Sequence, residues 1–226
     1  SFAACAAMFP AAQPIDPKRI PANLKPMALC SDSFAVLYSQ ASKTPLVVVE
    51  RLSANQLNNA KDQRRTDQFY ADPRIPKEGR AELDDYRGQD PAVDRGHQAP
   101  AADAPTQRAM AQSFALSNMV PQDPTNNRKA WNKIETDVRK FVQRARGNVY
   151  VFTGPIFDKG FSTVGKNKVW KPTRLFKLVY DETSQRAWAY VLPNEETAVE
   201  RPMDYARFVS ETGLHWLDSL PVTGTV

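Results

Sequence analysis

The sequence predicts a single mixed α+β domain with a central antiparallel β-sheet. The chain has 226 residues, a length typical of one large domain. Its hydrophobic fraction of 42% supplies a core and excludes a disordered chain. Strand-like segments lie on both sides of the clearest helix, and no segment repeats. No apolar run approaches the roughly 20 residues that cross a bilayer, so we expect no membrane span.

Residues 1–31 are rich in alanine and proline, and we expect them to form an extended, loosely packed arm. Cys5 and Cys30 are the two cysteines of the chain. A disulfide between them would pin the arm in an oxidising compartment, while two unrelated buried thiols are the alternative. The chain begins without methionine, as a mature protein does after removal of a signal peptide. These observations predict a secreted or periplasmic protein.

Hydrophobic patterning indicates the regular elements. Segments rich in β-branched and aromatic residues predict strands at 34–39, 45–52, 148–154, 169–181 and 186–193. Helical periodicity predicts helices at 106–113, 126–146 and 202–214. The polar stretch 53–94, which prolines interrupt, is expected to be mostly loop.

The helix predicted from Asn126 or Asn127 to about Arg146 is amphipathic, and Gly147 is expected to be its C-cap. Its apolar stripe consists of Trp131, Ile134, Val138, Phe141 and Val142. The segment holds seven basic and two acidic residues, which is typical of a surface that meets a polyanion such as nucleic acid, and a solvated helix face is the alternative.

A second basic segment, 159–177, has six basic residues and no acidic one. Phe161, Trp170 and Phe176 are interleaved with these charges. The segment either extends a substrate groove or forms a hairpin whose lysines face water.

Histidine is the usual general base near neutral pH, and the chain has two. His215 lies between Leu214 and Trp216, as a core or surface histidine does, whereas His97 lies in the dense run VDRGHQAPAAD. Two histidines and two cysteines scattered along the chain do not make a zinc site. Glycine-rich phosphate loops and a nucleophile elbow are also missing, which leaves an oxygen-ligand site of the kind that Mg²⁺ prefers.

The run DRGHQAPAAD (94–103), followed by SFALSNMVPQDPTNNRKAWNKIETDVR (113–139), resembles the DNA/RNA non-specific endonucleases. These are ββα-metal, or His-Me finger, nucleases. The resemblance covers roughly residues 33–195, which would form the catalytic core. It implies a ββα-metal motif over 94–146 within one nuclease domain that spans the whole chain.

The resemblance implies a role for each motif residue. His97 would be the general base. Asn127 would be the direct protein ligand of Mg²⁺, or of Mn²⁺ or another divalent ion in its place, and Glu135 would hold the metal through water. Arg139 and Arg65 (or Arg64) would bind the phosphate, together with Arg128. Arg95 would support the site, and Asp94 would hold the strand or Arg95.

Helix geometry agrees with these roles, because Asn127, Glu135 and Arg139 are separated by multiples of four residues and share one ridge of a continuous helix. An ordinary ion pair between Glu135 and Arg139 is the alternative explanation.

The function that the resemblance implies is metal-dependent hydrolysis of DNA and RNA, which gives 5′-phosphorylated products. The resemblance also admits an inhibitor protein as a partner. Two alternatives are a phosphodiesterase that acts on a smaller nucleotide substrate and a nucleic-acid-binding protein without catalysis.

Overall fold

The computed structural model describes residues 1–223 of the chain. In chain order, its strands are β1 Pro26–Cys30, β2 Ala35–Ser39, β3 Thr44–Leu52, β4 Asp94–His97, β5 Met119–Gln122, β6 Val149–Ile156, β7 Thr163–Val164, β8 Val169–Trp170, β9 Arg174–Asp181, β10 Arg186–Pro193 and β11 Met203–Asp204. Its α-helices are α1 Ala54–Ala60, α2 Gln107–Gln112, α3 Pro124–Arg128, α4 Ala130–Arg144 and α5 Tyr205–Thr212. Several short 3-10 turns connect them.

Seven strands form one sheet in the order β1-β2-β3-β6-β9-β10-β11, and every neighbouring pair is antiparallel. Side chains alternate between its two sides, as strand geometry requires. On β6, Val149 and Val151 enter one core, while Tyr150 and Phe152 enter the other. The predicted α+β domain with a central antiparallel sheet is confirmed.

One side of the sheet, which we call the helix face, is covered by α1 and α4. The apolar stripe predicted on the long helix packs against the sheet here, with Trp131, Ile134, Val138 and Val142 buried and Phe141 partly buried. Leu57 of α1 joins the same core. The helix face is therefore covered by regular helices, and the sides of these helices that point away from the sheet do not pack in this core.

The opposite side, the arm face, is covered by residues 1–20 and α5. Phe2, Phe9 and Ile15 are buried in the core of this face, so the prediction of a loosely packed arm is wrong. Residues 26–30, within the predicted arm of 1–31, form the strand β1, which pairs with β2. Short 3-10 turns have no long hydrophobic period, which is why the sequence did not indicate this packing.

The predicted disulfide is present and links Cys5 to Cys30 across a Cα–Cα distance of 5.6 Å. It joins the buried start of the arm to the end of β1. The bridge closes a segment whose cysteines are 25 residues apart, so it restricts the unfolded chain as well as holding the arm in place.

Two predicted elements are broken. The helix predicted over 126–146 is interrupted at Lys129, whose backbone angles of φ −116° and ψ −86° are not helical. It ends at Arg144, where Ala145 takes an extended conformation, so Gly147 is not the C-cap. The strand predicted over 169–181 divides into β8 and β9 around Pro172, which lacks the N–H that a ladder needs.

The polar stretch predicted as loop contains α1, which begins after Ser53. The Ser53 hydroxyl accepts a hydrogen bond from the backbone N–H of Gln56.

In the second basic segment, Phe176 and Lys177 are buried, and the Lys177 ammonium donates to Thr153 at 2.7 Å. Earlier in the segment, β7 and β8 pair antiparallel and Lys166 and Lys168 between them are exposed, so the hairpin predicted as one alternative is present. No helix within residues 1–223 combines the length and the apolar character that crossing a membrane requires.

Candidate active site

The site is built on a two-stranded ladder that leads into two helices. β4 pairs antiparallel with β5, which places His97 opposite Met119 and Gly96 opposite Val120. A Cβ atom at position 96 would overlap the side chain of Gln122, so the glycine permits a close approach that other residues would block. The segments α3 and α4 follow β5, and together these elements make the ββα arrangement that the resemblance implies.

Asn118 fixes the loop that follows His97. Its amide oxygen accepts from the backbone N–H of Ala99 at 2.9 Å, and its amide nitrogen donates to the carbonyls of Ala99 and Ser113. Asn118 is fully buried, so these bonds have no competition from water. The SNM segment of the motif thus holds the loop behind the histidine.

The His97 ring stands between two aromatic side chains, with Phe69 at 5.6 Å and Phe114 at 4.7 Å between ring centroids, both edge to face. Its Nε2 atom is enclosed and has no hydrogen-bond partner. Burial, reinforced by the charge of Arg65, lowers the pKa of His97 to about 3. The imidazole is therefore neutral at pH 7, and Nδ1 is the nitrogen left to meet a water molecule.

Asp94 fixes the orientation of the Asn127 side-chain amide. The Asn127 amide nitrogen donates to Asp94 Oδ2 at 2.9 Å, so the amide oxygen is left without that partner. Arg128 donates to the same carboxylate through Nε and Nη2. The expectation that Asp94 holds Arg95 is wrong, because the Arg95 guanidinium stacks on Phe69 at 3.9 Å.

Glu135 and Arg139 lie on α4, but they do not form the ordinary ion pair with each other. Arg139 donates instead to Asp103 at 3.2 Å. Burial raises the pKa of Glu135 to about 7, although the charges of Lys177 and Arg139 act in the opposite direction. The carboxyl group of Glu135 is a partly buried oxygen ligand, and it accepts no protein hydrogen bond within residues 1–223.

A cavity of about 350 Å³ brings the predicted residues together. Those that line it are Arg65, Arg95, His97, Asn127, Arg128, Glu135 and Arg139. Arg64 is not among them, and its backbone instead binds the side chain of Gln107. Four arginines around one carboxyl group make this cavity suited to a phosphate diester. His215 lies elsewhere, exposed and bound to Asp218 at 2.7 Å.

The donor set fits a hard divalent cation that keeps most of its water. Within residues 1–223, no group of three or more His, Cys, Asp or Glu side chains is arranged to hold a metal. The cavity instead offers the free amide oxygen of Asn127 and the carboxyl group of Glu135. Oxygen ligands in small number, completed by water, are typical of Mg²⁺ sites.

Sequence reasoning missed the residues that support the site from behind. Asp103 binds Arg139, and Phe69 and Phe114 hold the histidine ring. Asn132 of α4 also lines the cavity. Asp103, Phe114 and Asn132 lie inside the two quoted motif runs, so their proximity to motif residues was an available signal. Phe69 lies outside both runs, 28 residues before His97.

Over residues 12–218, the chain matches the profile of the DNA/RNA non-specific endonuclease family. The chain belongs to this family. Nuclease C1 of the fungus Cunninghamella echinulata is 32% identical to it over 212 residues, which cover 85% of this chain and 83% of the relative. Human mitochondrial endonuclease G is 35% identical over 76% of this chain, and mitochondrial Nuclease 1 of Schizosaccharomyces pombe is 33% identical over 74%.

The chain spans 62% of the human relative and 57% of the S. pombe relative, which is less than two thirds of each. A solved structure described as the EndoG/EndoGI complex superposes with a TM-score of 0.77 at 26% identity. The superposition covers 87% of this chain and 89% of the other. The fold of the endonuclease family thus extends over nearly the whole domain. Members of this family typically act with a divalent metal ion.

The expectation of a secreted or periplasmic protein is wrong, because human endonuclease G and the S. pombe nuclease are both named as mitochondrial. That expectation depended on the disulfide and on the first residue of the sequence. A single disulfide shows only that its two thiols are oxidised, and it does not identify the compartment.

Proposed function

We propose that this chain is an endonuclease that hydrolyses phosphodiester bonds of DNA and RNA with Mg²⁺. One observation carries the proposal. A neutral histidine, an amide oxygen free of protein partners and four arginines line the same cavity. Each is a part that phosphodiester hydrolysis needs: a base, a metal ligand and charge to bind phosphate.

In this proposal, His97 removes the proton from the attacking water through Nδ1. The ring can accept this proton because it is neutral at pH 7. Phe69 and Phe114 pack against the ring and fix its plane, so the ring is already oriented before the reaction begins. For Nδ1 to accept this proton, the proton of the neutral ring must lie on Nε2.

Asn127 would hold Mg²⁺ directly through its amide oxygen, and Glu135 would hold it through water. When bound, the ion supplies charge that stabilises the phosphate and the leaving oxygen. Asp94 keeps the amide of Asn127 turned so that nitrogen faces the carboxylate. Mn²⁺ or another divalent ion could replace Mg²⁺, since the donors are oxygens.

The arginines bind and orient the phosphate in this scheme. Arg139 is steadied by Asp103, and Arg65 lies at the edge of the cavity with its Nε bound to Asp67. Arg128 remains largely exposed, with 70% of its side chain accessible, although Asp94 binds it. Contacts to phosphate carry no sequence information, so we expect cleavage with little base preference and, as the family resemblance implies, 5′-phosphorylated products.

An inhibitor protein is a further partner that we propose for this cavity. The support is the similar solved structure, whose description names a complex and a mechanism of EndoG inhibition. The positive cavity of this chain would suit an acidic surface.

Digestion of plasmid DNA and of RNA tests the function. With Mg²⁺ we expect cleavage of both polymers, complete loss of cleavage with EDTA, and recovery when Mg²⁺ is restored. Asn127→Ala should shift the required Mg²⁺ concentration upward, and excess metal should recover part of its activity. If the purified chain cuts neither polymer with Mg²⁺ present, the proposal is wrong. Cleavage restricted to small nucleotide diesters would instead support the alternative substrate class.

A further inference from the structure

A second cavity, of about 420 Å³, adjoins the one that contains His97. The two share Arg65, Arg139, Ala101 and Ala102 in their linings, so they form one continuous depression. The second part lies between α1 and α4, and we call it the lateral groove. Its volume falls in the range of sites that hold a small organic group.

The lateral groove differs chemically from the cavity beside it. Its floor is aliphatic, with Leu57, Ala60 and Met110 buried at 2, 8 and 2% exposure. Its rim carries Lys61 and Lys140, which are exposed. Within residues 1–223 neither lysine has an acidic partner within 4.0 Å.

This order of surfaces matches a polynucleotide strand. A strand alternates a negatively charged phosphate with a nucleoside whose base has large apolar faces. The arginines shared by the two cavities would bind one phosphate, the aliphatic floor would receive the adjoining base, and the two free lysines would meet the next phosphate. An aliphatic floor forms few directional contacts, so any of the bases would be accepted.

We propose that the lateral groove is the subsite for the nucleoside next to the scissile phosphate, with Lys61 and Lys140 binding the phosphate beyond it. The proposal rests on the proposed nuclease function and adds the direction in which the substrate strand leaves the cavity. Nucleic acid held in this way crosses the end of α1 and the middle of α4.

Binding of a short fluorescent single-stranded oligonucleotide tests the lysines. It is measured with Mg²⁺ on the His97→Ala chain, so that the probe is not cut. Adding Lys61→Glu and Lys140→Glu should raise the Kd at least about tenfold. It should also reduce the slope of log Kd against log salt by about one per lysine, whatever the base sequence.

The matched control changes the same number of exposed lysines on the arm, Lys18→Glu with Lys25→Glu. This pair alters net charge equally, so a smaller shift in Kd and an unchanged salt slope are expected. Equal effects of the two pairs would overturn the subsite.

Photocrosslinking locates the base. An oligonucleotide in which 5-iodouracil replaces thymine is irradiated on the His97→Ala chain, and the attached peptides are identified by mass spectrometry. We expect attachment within 57–61 or 101–110. Attachment confined to other segments, such as the basic stretch 159–171, would overturn the subsite while wild-type cleavage of DNA leaves the nuclease function standing. A wild-type chain that neither binds nor cleaves nucleic acid overturns both.

Discussion

The two faces of the central sheet are both covered by buried apolar side chains, but different kinds of structure supply them. The helix face is covered by α1 and α4, and residues of α4 line both cavities while residues of α1 line the lateral groove. The arm face is covered by irregular chain and α5, with a disulfide across the arm. Both faces bury large apolar side chains, but only one of them carries the candidate chemistry.

This difference teaches that activity and stability should be separable in this protein. Residues of the arm face contact the core and lie outside the cavity that contains His97. Most residues that line that cavity are polar or charged, and they contribute little apolar burial to the core of the sheet. Changes on the arm face should therefore lower the free energy of unfolding, and changes in the cavity should lower the rate of DNA cleavage. The predictions below test that separation.

The largest effect is expected for Phe9→Ala on the arm face. Phe9 is 1% exposed and packs against Phe2 at 5.0 Å between ring centroids. Its truncation should lower the free energy of unfolding by about 3–5 kcal/mol, the usual cost of a lost buried aromatic ring. Urea unfolding measures this loss, and nuclease activity per folded molecule should stay at the wild-type level. Lys18→Ala, an exposed change on the same arm, is the control.

Removing the disulfide should cost slightly less. Cys5→Ser with Cys30→Ser frees a loop whose ends are 25 residues apart, and the free energy of unfolding should fall by about 3 kcal/mol. Reductant should destabilise the wild type by a similar amount and leave the double variant unchanged. A loss of DNA cleavage by the folded double variant would show that the two faces are coupled.

In the cavity, His97→Ala should slow DNA cleavage at least ~10²-fold, the scale expected for a lost general base. Affinity for DNA should change little, because Asn127 and the arginines remain. His215→Ala is the control, since that histidine is exposed and pairs with Asp218 away from the cavity. Near-wild-type cleavage by the His97 variant would rule out the histidine as the base.

The buried histidine should also make stability depend on pH. Its pKa is about 3 in the folded chain against an ordinary value of 6.5, so the unfolded chain takes up the proton first as the pH falls. The stabilisation is fully present above pH 6.5 and decreases toward pH 3. From pH 7 to 5 we expect this group to cost about 2 kcal/mol. Comparing urea unfolding of wild type and His97→Ala at both pH values measures it, and equal pH slopes would contradict a depressed pKa.

The smallest of these effects is expected for Asp94→Asn. The variant keeps the size of the side chain but removes the charge that Asn127 and Arg128 contact. The Mg²⁺ concentration for half-maximal cleavage should rise about tenfold, as for other partners that orient a metal ligand. Excess Mg²⁺ should restore most of the rate, whereas Asp62→Asn, an exposed change, should alter neither. A lower rate of cleavage at all Mg²⁺ concentrations would contradict the role of Asp94 in orienting the metal ligand Asn127.

Much of the site could be predicted because its residues lie close together in sequence. His97, Asn127, Glu135 and Arg139 belong to two short motifs, and the structure places all four in one cavity. The choice between Arg64 and Arg65 could not be made, because both lie in a loop without hydrophobic period. In the structure Arg65 lines the cavity and Arg64 does not.

Elements without a clear period escaped prediction. Helix α1, with the sequence ANQLNNA, is short and rich in asparagine, which has low helix propensity. The interruption at Lys129 separates Asn127 from the long helix that carries Glu135, so the shared ridge inferred from spacing does not exist. The side chains converge because β4 contacts the short helix through Asp94 instead.

By itself, the sequence determined the features that depend on neighbours along the chain. Strands rich in β-branched and aromatic residues, the buried stripe of α4 and the DRGH motif all follow from residues close together in sequence, because strand preference and the helix repeat act over a few residues. Tertiary structure alone decided which charges are buried. Glu50 is 3% exposed and its pKa is raised well above the usual range, by burial and by Asp103. The burial of Glu50 depends on residues far apart in sequence, and no local pattern of residues predicts that they meet.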